Sequence, residues 1–122
     1  MSNYIKVMCN EKMQIIICTA LKNFARIAYP KTPNSECNLV ASDALLNAAD
    51  YFEKKFKAQG YGEINRRLRM IVKTAIEAHY SILAELETCV TDRQCEMMLK
   101  ICNGELITDE QFCEAERLDR QM

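Results

Sequence analysis

Turn-forming residues are scarce in this chain: three glycines and two prolines punctuate 122 residues. Sandwiches and barrels turn every 8–12 residues or so and place such residues at the turns. A chain with so few breaks is built from long elements, and in a small domain those are helices. Apolar residues make up 49% and charged residues 27%, the mixture of an ordinary globular protein with enough apolar material to offset chain entropy. A chain of this length buries roughly two-thirds of its unfolded surface in one domain, expected here over 1–122.

Apolar spacing agrees. Met13, Ile16, Ile17, Ala20, Leu21, Phe24, Ile27 and Ala28 share one helical face. They predict a helix from Asn10 to Tyr29, with Asn10 as N-cap and Glu11 in the first turn. Pro30 cannot continue it, and "PKTPNSE", Pro30 to Glu36, reads as a loop. A second helix starts between Ser35 and Ser42, is placed at about 38–59, and carries Leu45, Ala49, Phe52 and Phe56, with Leu39 and Val40 ahead of them. Gly60 stands where a left-handed residue closes a helix. A third helix, about 63–89, carries Ile64, Leu68, Ile71, Val72, Ala75, Ile76, Ile82, Leu83 and Leu86. The "GYG" link is short enough to make the second and third helices an antiparallel hairpin. The opening "NYIKVM" suits a short strand or a helical turn. Helix is the expectation, because no second strand is in view to pair with it.

Near the C-terminus the chain reads "VTDRQCE" and then "ITDEQFCE". Each copy holds a T-x-x-Q capping box, Thr91 with Gln94 and Thr108 with Gln111. Ile107 and Phe112 occupy the places of a hydrophobic staple, as Val90 and Cys95 do in the first copy, and Asp92 and Asp109 suit first turns. The repeat therefore reads as two helix starts, for helices at about 92–102 and 109–120, with Asn103-Gly104 ending the first. A calcium loop with Gly104 at its sixth position would need oxygen ligands where Leu99 and Ile101 stand, so it fails despite Glu110. The stretch from Leu99 to Leu118, with "GELITDEQF", resembles the helical hairpin of SHOCT-type domains, with one extra residue before the Ile-Thr pair. The likeness covers some twenty residues of capping chemistry and implies a helical hairpin only. The expected fold class is all-α: a compact bundle of about five helices, with a long antiparallel hairpin (about 38–59 and 63–89) and two short C-terminal helices.

Chemistry-bearing motifs are few. The seven cysteines form no C-x-x-C, and the one histidine, His79, has no H-x₃₋₅-H partner. The cysteines are expected to be free thiols in the core, with no metal and no cofactor. His79 falls on or beside the apolar stripe of the third helix, as a hydrogen-bonded core or boundary histidine. Glu77 lies two residues before it rather than three, so a paired Glu-x-x-His di-metal site is not built. No phosphate loop, G-x-S-x-G or H-E-x-x-H occurs. The longest aliphatic run, Ile15-Ile16-Ile17, is far short of the ~20 residues that cross a bilayer. Glu11, Lys12 and Gln14 break up the place of a signal peptide, so no membrane partner and a cytoplasmic location are expected.

Charge placement is the most informative feature. Lys54, Lys55, Lys57, Arg66, Arg67, Arg69 and Lys73 face a single acid, Glu63, in the segment 54–73, whereas residues 85–122 hold ten acids and four bases. The net charge of −1 hides a polarised chain. Cations at the start of the third helix oppose its dipole, and such a conflict points to function. The bland alternative is a solvated face, with or without pairing to the acidic C-terminal helices. The expected function is a non-enzymatic interaction protein, a regulator or inhibitor. The seven basic residues would form one corner that docks on a larger protein or ribonucleoprotein with an acidic or phosphate-rich surface. Antagonists carried by phages or mobile elements, such as anti-CRISPR proteins, are one such class. The rivals are a small enzyme or ligand-binding bundle using His79, and direct nucleic-acid binding through the corner. The last is disfavoured by the pI of about 5.9 and by Tyr61 as the one nearby aromatic.

Overall fold

Asn10 does start the first helix. Its side-chain oxygen accepts from the Met13 N–H at 2.9 Å, and α1 runs over Glu11–Ala28. The computed structural model describes residues 4–29 and 36–121, apart from the side chains of 37 and 38, so the expected loop lies, up to Ser35, outside the described residues. Four further helices follow: α2 (Glu36–Gln59), α3 (Arg66–Glu87), α4 (Asp92–Cys102) and α5 (Asp109–Arg120). The five-helix, mostly α architecture is the one that the shortage of turns predicts.

Two short strands were not foreseen as a pair. β1 (Ile5–Met8) and β2 (Tyr61–Ile64) run antiparallel, with Ile5 opposite Ile64 and Met8 opposite Tyr61. The helical expectation for "NYIKVM" is thereby corrected, and the "GYG" link proves to be the missing partner. The burial pattern shows why. Val7 and Ile64 are buried while Lys6 and Glu63 face outward, the period-two alternation of strands. Because β2 uses Tyr61–Ile64, α3 begins at Arg66 rather than 63, with Asn65 as N-cap accepting from the Leu68 N–H at 2.8 Å. It ends at Glu87 rather than 89, where Thr88 takes a left-handed φ of 50°.

α1 packs on both α2 and α3, so the arms of the expected hairpin are joined through it and through β2. Met13, Ile17, Leu21, Phe52, Val72 and Ile76 fill this part of the core. α4 and α5 pack on each other, α4 also on α3 and β1, burying Met98, Ile101, Cys102 and Phe112. The expected α3 stripe holds through Ile76 and, half-buried, as far as Leu83, which packs against the core. Between these two Tyr80 is the buried side chain, and beyond them Leu86 is 77% exposed.

The repeated T-x-x-Q motif has two different fates. At α5 the box is complete: Thr108 Oγ1 accepts from the Gln111 N–H at 3.1 Å, and Gln111 Oε1 accepts from the Thr108 N–H at 2.8 Å. At α4 the expected box is absent. Thr91 has ψ near 8° instead of an extended backbone, and its buried hydroxyl donates to the Tyr80 carbonyl at 3.2 Å. α4 is capped from α5 instead. The buried Asp119 carboxylate accepts from the Arg93 N–H at 3.2 Å and the Gln94 N–H at 3.0 Å.

Candidate functional site

The seven basic residues lie on two helices, Lys54, Lys55 and Lys57 on α2 and the other four on α3, with β2 between them in the chain. After Gly60, with φ of 82°, the chain folds back along α2. A Cβ on Gly62 would sit 2.8 Å from the Phe52 ring, and the Tyr51 hydroxyl donates to the Glu63 carbonyl at 2.8 Å while accepting from the Glu63 N–H at 3.2 Å. Six residues of nearly extended chain span about 20 Å, so α3 starts beside the middle of α2 rather than at its end. Lys54, Lys55 and Lys57 stay behind at that end. Lys54 pairs with Asp50 at 2.9 Å, which holds its ammonium above the usual lysine range. Lys55 lies 6.0 Å over the Tyr51 ring. Lys57 borders a cleft of about 630 Å³ between α1 and α2, beside the Lys22–Glu53 ion pair, Cys18 and Ile15.

The other four cations lie on the first two turns of α3. Arg66 and Arg67 are exposed, Arg69 and Lys73 half-buried. Among the described residues no carboxylate lies within ion-pair distance of any of them. Pairing with the C-terminal acids is therefore not built among the described residues, and a solvated face, the rest of the bland alternative, is what Arg66 and Arg67 present. Four of those ten acids pair elsewhere: Glu116 with Lys12 at 2.8 Å, Asp119 with Arg93 at 3.7 Å, Glu96 with Lys100 at 3.6 Å, and Glu114 with Arg117. Helical spacing puts Arg66, Arg69 and Lys73 on one face and turns Arg67 to another.

That other face borders a groove of about 690 Å³. Its walls are α2 from Glu36 to Leu45 and α3 from Arg67 to Thr74, and Phe24 of α1 and Tyr29 at its C-cap contribute to its lining. Val40 and Met70 on its walls are 70% and 65% exposed. Sequence reasoning missed this groove. The available signal was Met70, an apolar residue off the buried stripe of its helix. A third cleft, about 630 Å³ between α4 and α5, is lined by Arg93, Glu96, Met97, Glu110, Glu114 and Leu118 among others.

His79 lines none of these three clefts. It is half-buried with its ring edge-on to Tyr80 at 5.1 Å, and burial lowers its pKa below the ordinary 6.5. No hydrogen bond to its ring is present among the described residues, where one was expected. The expectation of core thiols needs correction too. Cys18 and Cys102 are buried and Cys9 and Cys95 half-buried, but Cys89 and Cys113 are exposed. Cys89 follows the turn at Thr88, and Cys113 falls between the inward positions Phe112 and Ala115 of α5. Cys37 lies outside the described side chains. Among the described residues no three His, Cys, Asp or Glu side chains converge as a metal site would require, and no helix is long and apolar enough to cross a membrane. No protein-family model matches this chain, and neither a curated protein nor a solved structure does.

Proposed function

We propose that the protein is a non-enzymatic interaction domain of the regulator or inhibitor kind, docking on a larger protein or nucleoprotein through the start of α3. One observation carries the reading: Arg66, Arg67 and Arg69 crowd the positive end of a helix dipole, with no carboxylate partner among the described residues. Cations in a helix's first turn cost stability rather than add it. Arginine forks suit bidentate contact with carboxylate or phosphate, and guanidinium sheds water more readily than ammonium. Lys73 extends the face of Arg66 and Arg69, whereas Lys54, Lys55 and Lys57, on α2, take a lesser role. A nuclease-complex antagonist, the narrower class expected above, is a special case of this reading.

The test is quantitative capture from source cells with the parent and with a variant carrying Arg66→Glu, Arg67→Glu and Arg69→Glu. Partners enriched by the parent should fall at least tenfold with the variant, about 1.4 kcal/mol. Lys54→Glu, Lys55→Glu and Lys57→Glu together should leave most of the capture in place. Equal recovery by parent and arginine variant would remove the interface from α3. Nuclease treatment separates a protein surface, which persists, from nucleic acid, which is lost.

A further inference from the structure

We propose that the groove between α2 and α3 receives one amphipathic helix of a partner protein, its apolar stripe in the groove and its acidic residues against Arg67. The inference rests on the interaction reading above and adds the kind of surface that the partner presents. Val40 and Met70 leave large apolar side chains in water on the walls of one groove, which marks an interaction site rather than scattered surface apolarity. The hydroxyl of Thr74 is turned inward and donates to the Met70 carbonyl at 2.9 Å. Phe24 and Tyr29 meet edge to face at 5.9 Å. Between Arg67 and Glu36, the groove is therefore apolar over most of its lining.

The form of the occupant follows from the walls. α2 and α3 spend their backbone N–H and C=O groups within their own helices, so an extended peptide laid between them would find no ladder to join. A helix satisfies its backbone internally and offers only side chains, the helix-in-groove mode. Strand addition is blocked on β2, because the Tyr51 hydroxyl occupies both backbone groups of Glu63. From Glu36 to Leu45 the α2 wall rises about 14 Å, two to three turns of a docked helix. Its charge follows from the rim. Arg67 is the cation of the lining and has no carboxylate partner among the described residues. Glu36 is the one anionic liner among the described residues, so the occupant carries its acids toward Arg67 and away from Glu36.

The experiment selects helical binders without assuming a partner. A phage-displayed library of random peptides about 16 residues long, or ~24 Å as helix, is panned on the full chain. Affinities of the enriched peptides are then read by fluorescence anisotropy. The expected peptides combine acids with apolar residues at i, i+3 or i+4, and i+7, and gain helical circular dichroism on binding. Their affinity should fall at least tenfold with Met70→Glu and with Arg67→Glu, and stay within twofold with Lys57→Glu. Met70 is exposed, so its variant should keep the parent's own spectrum. Peptides without acids, or peptides indifferent to both substitutions, overturn the proposal. So does concentration-dependent self-association that Met70→Glu abolishes, since the occupant is then a second copy. If cell capture survives Met70→Glu but fails with the arginine variant, the groove is wrong and the interaction reading stands. If acidic helices need the groove while cell capture ignores the arginines, the interaction reading fails instead.

Discussion

Asp119 shows how one side chain can take over a task that another was expected to perform. Its carboxylate is buried, accepts from two backbone N–H groups at the start of α4, and lies 3.7 Å from the Arg93 guanidinium. Hydrogen bonds to a charged group contribute about 1.5–3 kcal/mol each, and removing the acceptor leaves a buried helix start without a cap. Asp119→Ala should therefore cost about 3 kcal/mol in urea unfolding. Thr108→Ala, which removes an exposed capping box, should cost roughly 0.5–2 kcal/mol. Thr91→Ala loses one neutral bond to the Tyr80 carbonyl, about 1 kcal/mol. The order Asp119 > Thr108 ≥ Thr91 is the measurable claim, and Thr91 as the costliest would restore the box at α4. The thiols sort just as sharply. Burial, their first cause in each case, pushes Cys9 and Cys102 up to about 12 and Cys18 and Cys95 up to about 11. At pH 8 an aromatic disulfide reagent should modify Cys89 and Cys113 first, while these four wait for unfolding. These raised values also set an alkaline limit. A thiol that ionises near 9 when unfolded and near 11–12 when folded holds its neutral form in the native state. Stability is thus kept below pH 9 and lost as pH climbs through that window. Mass spectrometry of the modified peptides checks the order, and early labelling at Cys102 would contradict it.

Elements were legible in proportion to how local their causes are. α1 could be read almost to the residue because Asn10 caps it from the adjacent position and its stripe is continuous. The start of α5 was equally plain, since both halves of the Thr108–Gln111 box lie within four residues. The α4 box looked identical in sequence, but its true cap comes from Asp119, 25 residues away from Gln94. The sheet was hidden for the same reason: Met8 and Tyr61 are partners across more than fifty residues, and four-residue strands leave too short an alternation to stand out. That missed strand also stands in the chain between the lysines of α2 and the cations of α3. Its position rests on Gly62, whose missing side chain lets β2 lie against Phe52. Phe52 is itself fully buried and stacks on Phe56 at 5.5 Å, so its ring has little room to move. Gly62→Ala should cost about 1–3 kcal/mol by overpacking. Gly60→Ala meets no atom within 4 Å, and there only the positive φ of 82° is strained, at about 1 kcal/mol. Equal costs for the two in thermal unfolding would argue against a tight β2–α2 contact. The outer edge of β2 is also covered, by the Tyr51 hydroxyl, which removes one template for strand pairing.

On the scale of the whole molecule, fold stability and proposed function make opposite demands on α3. Its first turn holds no acid, and Arg66, Arg67 and Arg69 sit against the positive end of the dipole. Of the acids on α4 and α5, Glu96, Glu114, Glu116 and Asp119 are tied up in pairs of their own. The charge separation is thus a standing feature of the fold, not an internal attraction that holds it together. Replacing the three arginines by glutamate should consequently make the protein more stable, not less. Each acid would favour the helix start by about 0.3–1 kcal/mol at low ionic strength, and none of the three replaces a member of the buried core. A rise of several degrees in Tm is expected in dilute buffer. It should shrink as salt is raised past about 0.15 M, where the screening length falls to ~8 Å. The same variant should lose its partner, and added salt should weaken the parent's binding mainly through a slower association rate. A variant that melts lower than the parent in dilute buffer would mean that the arginines are structural, held by contacts within the fold. The case for an interface on α3 would then lose its footing, since that case depends on their being costly to the fold and useful only outside it.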